Sequence, residues 1–119
     1  AFDRWIGRGC AGYVPRDRFS PVQAVHLIRS GGGVPVLAHP GMGGADHLIP
    51  ELVRAGLQGL EVHHPEHGSE DVAHYAAVAE KFRLVATGGS DFHGHASHAR
   101  LGAVVVPLQV VDDLKLRQT

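Results

Sequence analysis

Residues 20–41 read SPVQAVHLIRSGGGVPVLAHPG, and this stretch decides the fold class. The serine, proline and glutamine at its start are typical of a helix start: serine caps the first turn, proline suits the first helical position and glutamine completes a capping box. Glycines at 31–33 end the helix. The apolar run at 34–38 then predicts a strand that is buried on both faces and leads into His39.

The same helix–strand pattern recurs along the chain. Caps, apolar stripes at helical spacing and continuous apolar runs mark each unit. We predict further helices at 46–56, 69–82 and 110–117, and further strands at 59–63, 84–87 and 102–106. This alternation predicts an α/β fold in which about four parallel strands are joined by crossover helices. Four strands are too few to close a barrel, so the sheet is either open or part of a barrel.

The composition bounds the chain to one small domain, 1–119. Apolar residues make up 44% of the 119 residues, which is enough for a packed core, and the net charge of −1 gives no global basic field for nucleic acid. A single cysteine excludes an internal disulfide and suits a cytoplasmic protein. The longest apolar runs are far too short to span a bilayer, so we expect no membrane partner.

Ten histidines are present, and several of them follow predicted strands. His39 ends the first strand, His63 and His64 follow the second, and Asp91 and His93 follow the third. Active sites of barrels and open parallel sheets are built at this carboxyl edge. The sequence therefore predicts one site at this edge, to which all three strand ends contribute.

Asp91 and His93 are the sharpest local feature. In an extended segment, residues two apart face the same side, so a carboxylate and an imidazole here can bind one cation or two neighbouring ones. Such ligands suit Zn, Mn or Fe. The alternative is that Asp91 caps a turn, that His93 lies on the surface and that His39 is a core histidine. Pro40 disfavours the helical region for His39, so we expect an extended His39 aimed off the strand end.

The remaining candidates concern phosphate. At most one of His63 and His64 can face the site, because neighbouring strand residues point to opposite sides. His67 lies in the next loop and could contact a phosphate or protonate a leaving group. Residues 1–19 are rich in arginine; they form either a solvated connector or an arm in which Arg16 binds phosphate.

Three motifs then resemble the C-terminal motifs of PHP (polymerase and histidinol phosphatase) domains. They are LAHPG at 37–41, GLEVHHPEH at 59–67 and GGSDFHG at 88–94. The resemblance is greatest to bacterial stand-alone PHP phosphoesterases that act on nucleoside bisphosphates and RNA 5′ ends, and it extends to about Pro107.

The resemblance implies part of a distorted seven-stranded (β/α) barrel that hydrolyses phosphate esters with two or three divalent metals (Mn, Zn, Fe or Mg). By resemblance, His39, Asp91 and His93 match metal ligands, His67 matches a catalytic position near the phosphate, and His64 and Arg16 are candidates for substrate binding. The family's first motif is a His-x-His near the start of the domain, whereas the only His-x-His in this sequence is at 93–95. We therefore expect the other ligands to come from a preceding N-terminal half.

These features lead to two functional hypotheses. The first is a metal-dependent phosphoesterase, acting on a phosphorylated small molecule, nucleotide or RNA end, of which this chain carries part of the metal site. The second is a non-catalytic metal-binding or self-associating module, because a part-barrel leaves strand edges and apolar surface uncovered.

Overall fold

The computed structural model of the chain describes residues 4, 7–14, 19–94 and 99–118. Its helices are α1 (Pro21–Ser30), α2 (Pro40–Gly43), α3 (Ile49–Ala55), α4 (Ser69–Phe82) and α5 (Gln109–Arg117), with a 3₁₀ turn at Asp46–Leu48 before α3. Its strands are β1 (Val36–Leu37), β2 (Gly59–His63) and β3 (Val85–Gly88). Within the described residues these three strands form one parallel sheet in the order β1-β2-β3. The predicted alternation and the parallel sheet are confirmed.

The start of α1 follows the sequence prediction closely. The Gln23 backbone N–H donates to Ser20 Oγ (3.1 Å), and the Ser20 N–H donates to Gln23 Oε1 (2.8 Å). These reciprocal bonds satisfy two backbone donors that a helix start would otherwise leave unpaired. Residues three positions apart in the sequence therefore mark this helix boundary.

The core lies between the central strand β2 and the helices on one side of it. Leu60 and Val62 are fully buried, and their spacing of two places both on the same face. Ile49 and Leu52 from α3 and Tyr75 from α4 belong to the same buried cluster. Burial of these apolar side chains stabilises the position of β2 and therefore of the residues that follow its carboxyl end.

Several predicted boundaries were wrong. The strand expected at 34–38 has only two strand residues, and the segment expected as a strand at 102–106 forms no strand. That segment still packs against the sheet: a Cβ added at Gly88 would lie 2.7 Å from Val106 Cγ1. The segment 102–106 is therefore held beside β3 by side-chain contact and not by strand-pairing hydrogen bonds. The described sheet has three strands instead of the predicted four or so. The helix expected at 46–56 begins as the 3₁₀ turn.

The pairing of β2 with β3 is irregular near its carboxyl end. Glu61 is opposite Thr87, whereas His63 is opposite Gly88, so Val62 has no partner in the register. Such a bulge changes the direction of the side chains that follow it. Among the residues after this bulge, His64 is buried and His63 is half-buried.

No helix in the described part of the chain is long and apolar enough to cross a membrane.

Candidate metal centre

The carboxyl ends of the three strands bring the predicted site residues together at one edge. The rings of His39 and His64 have centroids 5.6 Å apart. Asp91 Oδ2 lies 3.6 Å from His64 Nε2, and Asp91 Oδ1 lies 3.5 Å from His93 Nδ1. Residues that follow three separate strands, and are up to 54 positions apart in sequence, therefore meet as the strand-end argument predicts.

A cavity of about 200 Å³ opens beside these residues, and His64, Asp91 and His93 line it with Met42 and Ser90. It is smaller than the roughly 300–1,000 Å³ clefts that enclose drug-sized ligands. The cavity is therefore too small to enclose a drug-sized ligand.

The surroundings of His93 favour the neutral tautomer with hydrogen on Nδ1. Its Nδ1 lies 2.6 Å from the Asp91 backbone carbonyl, which can only accept a hydrogen bond, so Nδ1 carries the hydrogen. Nε2 then keeps a free lone pair. Because the side chain is 73% exposed, that lone pair is accessible to a cation.

His67 is saturated by backbone hydrogen bonds instead. Its Nδ1 donates to the Val62 carbonyl (2.8 Å), and its Nε2 accepts from the Gly41 N–H (3.3 Å). The ring is buried and stacks on Tyr75, with centroids 5.2 Å apart. These contacts join the loop after β2 to the start of α2. The catalytic role expected of His67 would require its Nε2 to release Gly41, so that role stays a prediction.

Strand periodicity places Glu61 on one face with His63, and from the sequence Glu61 either pairs with an arginine or orients a ligand histidine. Its Oε2 accepts a hydrogen bond from the His39 backbone N–H (2.7 Å) and so links the ends of β2 and β1. A carboxylate inside the otherwise apolar strand run GLEV was the signal in the sequence. Glu61 therefore fixes the backbone at His39 and leaves the imidazole free.

His39 and Asp91 both have left-handed backbone conformations, with φ of 30° and 48°. The expectation of an extended His39 was wrong: Pro40 disfavours only the right-handed helical region, and the bond to Glu61 stabilises the left-handed one. The third described non-glycine residue with positive φ is Arg83, which ends α4. Two of the three strained positions thus coincide with predicted metal ligands, a pattern typical of functional sites.

This strain leads to a prediction for His39→Gly. The substitution relieves roughly 1–2 kcal/mol of left-handed strain and adds about 0.5–1 kcal/mol of backbone entropy cost, so stability is expected to stay equal or rise slightly. The backbone bond to Glu61 is retained. Divalent-metal affinity is expected to fall, because the imidazole is gone. Thermal unfolding and calorimetric Mn²⁺ titration measure the two effects.

Arg83→Gly is the matched control for that prediction. Arg83 has the same backbone conformation, and its carbonyl contact to Arg117 involves only the backbone of Arg83. It should show the same change in stability without a change in Mn²⁺ affinity. A loss of stability in His39→Gly but not in Arg83→Gly would contradict the strain argument.

A second polar cluster lies behind His67. Asp46 accepts hydrogen bonds from Tyr75 Oη (2.8 Å) and His74 Nε2 (2.7 Å). Burial and the hydrogen bond to Asp46 raise the pKa of Tyr75 to about 12. Burial tends to raise the pKa of Asp46, but its hydrogen bonds to His74 and Tyr75 prevail and lower it. The sequence gave His74 no role; the structure places it in a network that supports the ring under His67.

Some limits of the site follow from the described residues. Across 19–94 and the other described segments, no three His, Cys, Asp or Glu side chains are placed to hold a metal ion together. The ring of His39 and the lone pair of His93 are still of the right chemical type for Zn, Mn or Fe, as is the Asp91 carboxylate. Arg16 lies outside the described residues.

Comparison with known proteins gives relatives with phosphoesterase chemistry. The chain is 49% identical over 71 residues to phosphoribosyl 1,2-cyclic phosphate 1,2-diphosphodiesterase of Eggerthella lenta, which covers 60% of this chain and 27% of that protein. It is 36% identical over 104 residues to 3′,5′-nucleoside bisphosphate phosphatase of Chromobacterium violaceum; the match covers 83% of this chain and 36% of that protein. The 5′-3′ exoribonuclease Rnm of Escherichia coli is 31% identical over 106 residues, covering 85% of this chain and 36% of that protein. No protein-family model matches the chain.

Solved structures agree with the sequence relatives. A protein of Bifidobacterium adolescentis assigned as a metal-dependent phosphoesterase superposes with a TM-score of 0.79 at 27% identity, over 95% of this chain and 42% of that one. A Chromobacterium violaceum amidohydrolase with bound sulfate and no metal superposes with a TM-score of 0.69 at 30% identity. The superposition covers 99% of this chain and 44% of that one.

The fold thus defines an α/β chain with histidine and aspartate side chains at one strand edge, and it is similar to part of several phosphoesterases. More particularly, its relatives are PHP-type phosphoesterases, and the chain matches their C-terminal part. It spans only about a quarter to just over a third of the length of the curated relatives it matches.

Proposed function

We propose that this chain forms one part of the metal site of a PHP-type enzyme that hydrolyses phosphate esters. The observation that carries the proposal is the pairing of Asp91 with His93 beside one cavity, with His39 at the same edge of the sheet in ring contact with His64. The relatives' phosphoesterase activities support the same reaction class. We propose nucleotides or RNA 5′ ends as substrates, since two of the relatives are named for such molecules.

In this proposal the chain's own groups have separate tasks. His93 offers its Nε2, Asp91 offers carboxylate oxygens and His39 offers its ring, a donor set that fits Mn, Zn or Fe. A divalent cation held by these residues would supply Lewis acidity for phosphate-ester hydrolysis. Glu61 holds the backbone of His39, so the ring stays at the strand end. In the sequence prediction, Arg16 contacts the phosphate.

We further propose that the complete site holds two or three metals in a barrel of the PHP type. The chain spans 36% of the bisphosphate phosphatase it matches, so it can supply only some ligands of a site built along that whole length. Three ligands are enough for one catalytic zinc, but they do not suffice for a cluster. We therefore expect the 119-residue chain alone to bind a divalent cation while hydrolysing phosphate esters little or not at all.

The experiment combines two measurements on the purified chain. Calorimetry with Mn²⁺ and Zn²⁺ is expected to show binding, and an assay with a 3′,5′-nucleoside bisphosphate and a 5′-phosphorylated RNA is expected to show slow or no release of phosphate. Rapid turnover that is lost in His93→Ala would refute the partial site and keep the reaction class. The absence of divalent-cation binding would contradict the metal centre itself.

Self-association is the second candidate. It is supported by exposed apolar side chains on α1 and α5, including Leu27, Ile28 and Leu116, and by the edge position of β1, where Val36 is 36% exposed. Either a second copy or another part of the same protein could cover this surface.

A further inference from the structure

His64 is a buried histidine with one ring nitrogen that has no role so far. The residue is 5% exposed, and its Nε2 has no hydrogen-bond partner among the described residues. The ring lines the cavity, and Nε2 lies 3.6 Å from Asp91 Oδ2, just beyond hydrogen-bonding distance. A buried polar nitrogen without a partner calls for an explanation, because such groups are rare in folded proteins.

The other ring nitrogen decides what Nε2 can do. The Glu66 backbone N–H donates to His64 Nδ1 at 3.1 Å. Since a backbone N–H can only donate, Nδ1 must present its lone pair, and in the neutral imidazole the hydrogen is then on Nε2. His64 therefore has the opposite tautomer to His93. A nitrogen that carries hydrogen has no lone pair to bind a cation.

We propose that His64 is a positioning residue, whose Nε2–H donates to Asp91 Oδ2 and holds this carboxylate in the orientation needed to bind a cation. A small rotation of the Asp91 side chain, which is 41% exposed, would close the gap. With Oδ2 held, Oδ1 stays on the side of His93, 3.5 Å from its Nδ1. The inference rests on the proposed function, in which Asp91 is a metal ligand.

Charge favours Asp91 over a phosphate oxygen as the acceptor. Two carboxylates, Glu66 and Asp91, line the same cavity, so an anion approaching His64 meets negative charge first. Hydrogen bonds from a histidine to a ligating carboxylate are also the kind of outer contact that sets metal affinity. Substrate binding by His64, predicted from the sequence, then becomes an outcome of the test.

Two substitutions separate the functions of the two ring nitrogens. His64→Asn puts an amide oxygen near the place of Nδ1, so it can still accept from Glu66 but cannot reach Asp91. His64→Gln puts an amide N–H near the place of Nε2, so it can still donate to Asp91. The control is His26→Asn, at an exposed histidine on α1 away from the site.

We expect Mn²⁺ affinity, measured by calorimetry on the full chain, to fall about 10–100-fold in His64→Asn, as for other outer-shell changes. In His64→Gln it should stay within about threefold, and in His26→Asn it should not change. Equal losses in the Asn and Gln variants would overturn the proposal. So would unchanged Mn²⁺ affinity in His64→Asn with weaker binding of inorganic phosphate to the metal-loaded chain, which would make His64 a substrate contact.

A second readout needs no metal and keeps this inference separate from the proposed function. Long-range ¹H–¹⁵N NMR of the imidazoles is expected to show hydrogen on His64 Nε2, and Asp91→Asn is expected to shift that proton signal. Hydrogen on Nδ1, or no response to Asp91→Asn, would overturn the inference even if the chain binds Mn²⁺. If the chain binds no Mn²⁺ and the NMR result holds, the metal proposal fails while the His64–Asp91 contact stands.

Discussion

Asp91→Asn is expected to lower the affinity of the chain for Mn²⁺ by at least about 100-fold. Changing an outer contact of a metal ligand typically costs about 10–100-fold, and removing the charge of a ligand should cost at least as much. Asparagine has the shape of aspartate and is among the residues that best tolerate a left-handed backbone, so the φ of 48° at this position is not a new source of strain. The loss should therefore appear in metal binding and not in folding.

Calorimetric Mn²⁺ titration and thermal unfolding test this expectation together. Asp112→Asn is the matched control, because it removes the same charge from an exposed position on α5, next to Lys115. The control should bind Mn²⁺ as the parent chain does. If Asp91→Asn binds Mn²⁺ within threefold of the parent affinity, Asp91 is not a ligand. If Asp112→Asn loses as much affinity as Asp91→Asn, the loss is due to the change in net charge and not to a lost ligand.

Leu60→Ala is expected to lower the free energy of unfolding by about 2–5 kcal/mol, the usual range for a fully buried leucine. Leu60 is fully buried in the central strand and belongs to the core cluster shared with α3 and α4. The free energy of unfolding of a native domain is only about 5–15 kcal/mol, so the expected loss is a large fraction of the total stability. The next residue, Glu61, holds the backbone of His39, so loosening β2 also disturbs the metal site.

Urea unfolding followed by circular dichroism measures that loss. Leu116→Ala on α5 is the control: the side chain is 82% exposed, and the change should stay within about 0.5 kcal/mol. A loss below 1 kcal/mol in Leu60→Ala would mean that β2 is not the centre of the core.

The sequence was informative wherever a signal was local or periodic. The capping box of α1 is formed by residues three positions apart, and both of its bonds are present. The continuous run at 59–63 predicted β2, the strand that is most buried. Where the outcome depended on neighbouring strands, the prediction was weaker: the segment 102–106 has strand-forming residues but lies beside β3 without ladder bonds.

The candidate site divides in the same way. Strand-end position alone brought His39, Asp91 and His93 to one edge, because parallel strands place their carboxyl ends together. The sequence could not distinguish the roles of the individual histidines. Each role depends on which backbone groups form hydrogen bonds with the ring nitrogens in the folded chain. The Val62 carbonyl and the Gly41 N–H occupy both nitrogens of His67, whereas His93 keeps one free.

The sequence by itself thus determined the parallel α/β character of the fold, three of its strands and the edge at which the candidate residues lie. The physical reason is that helix caps, apolar periodicity and strand ends are encoded by residues close together in the chain. Only the tertiary structure decided the left-handed backbone at His39, the bond from Glu61 that stabilises it and the opposite tautomers of His64 and His93. These three features depend on hydrogen bonds with backbone and side-chain groups that lie far away in the sequence or in irregular loops. No sequence pattern specifies where those groups lie around each residue.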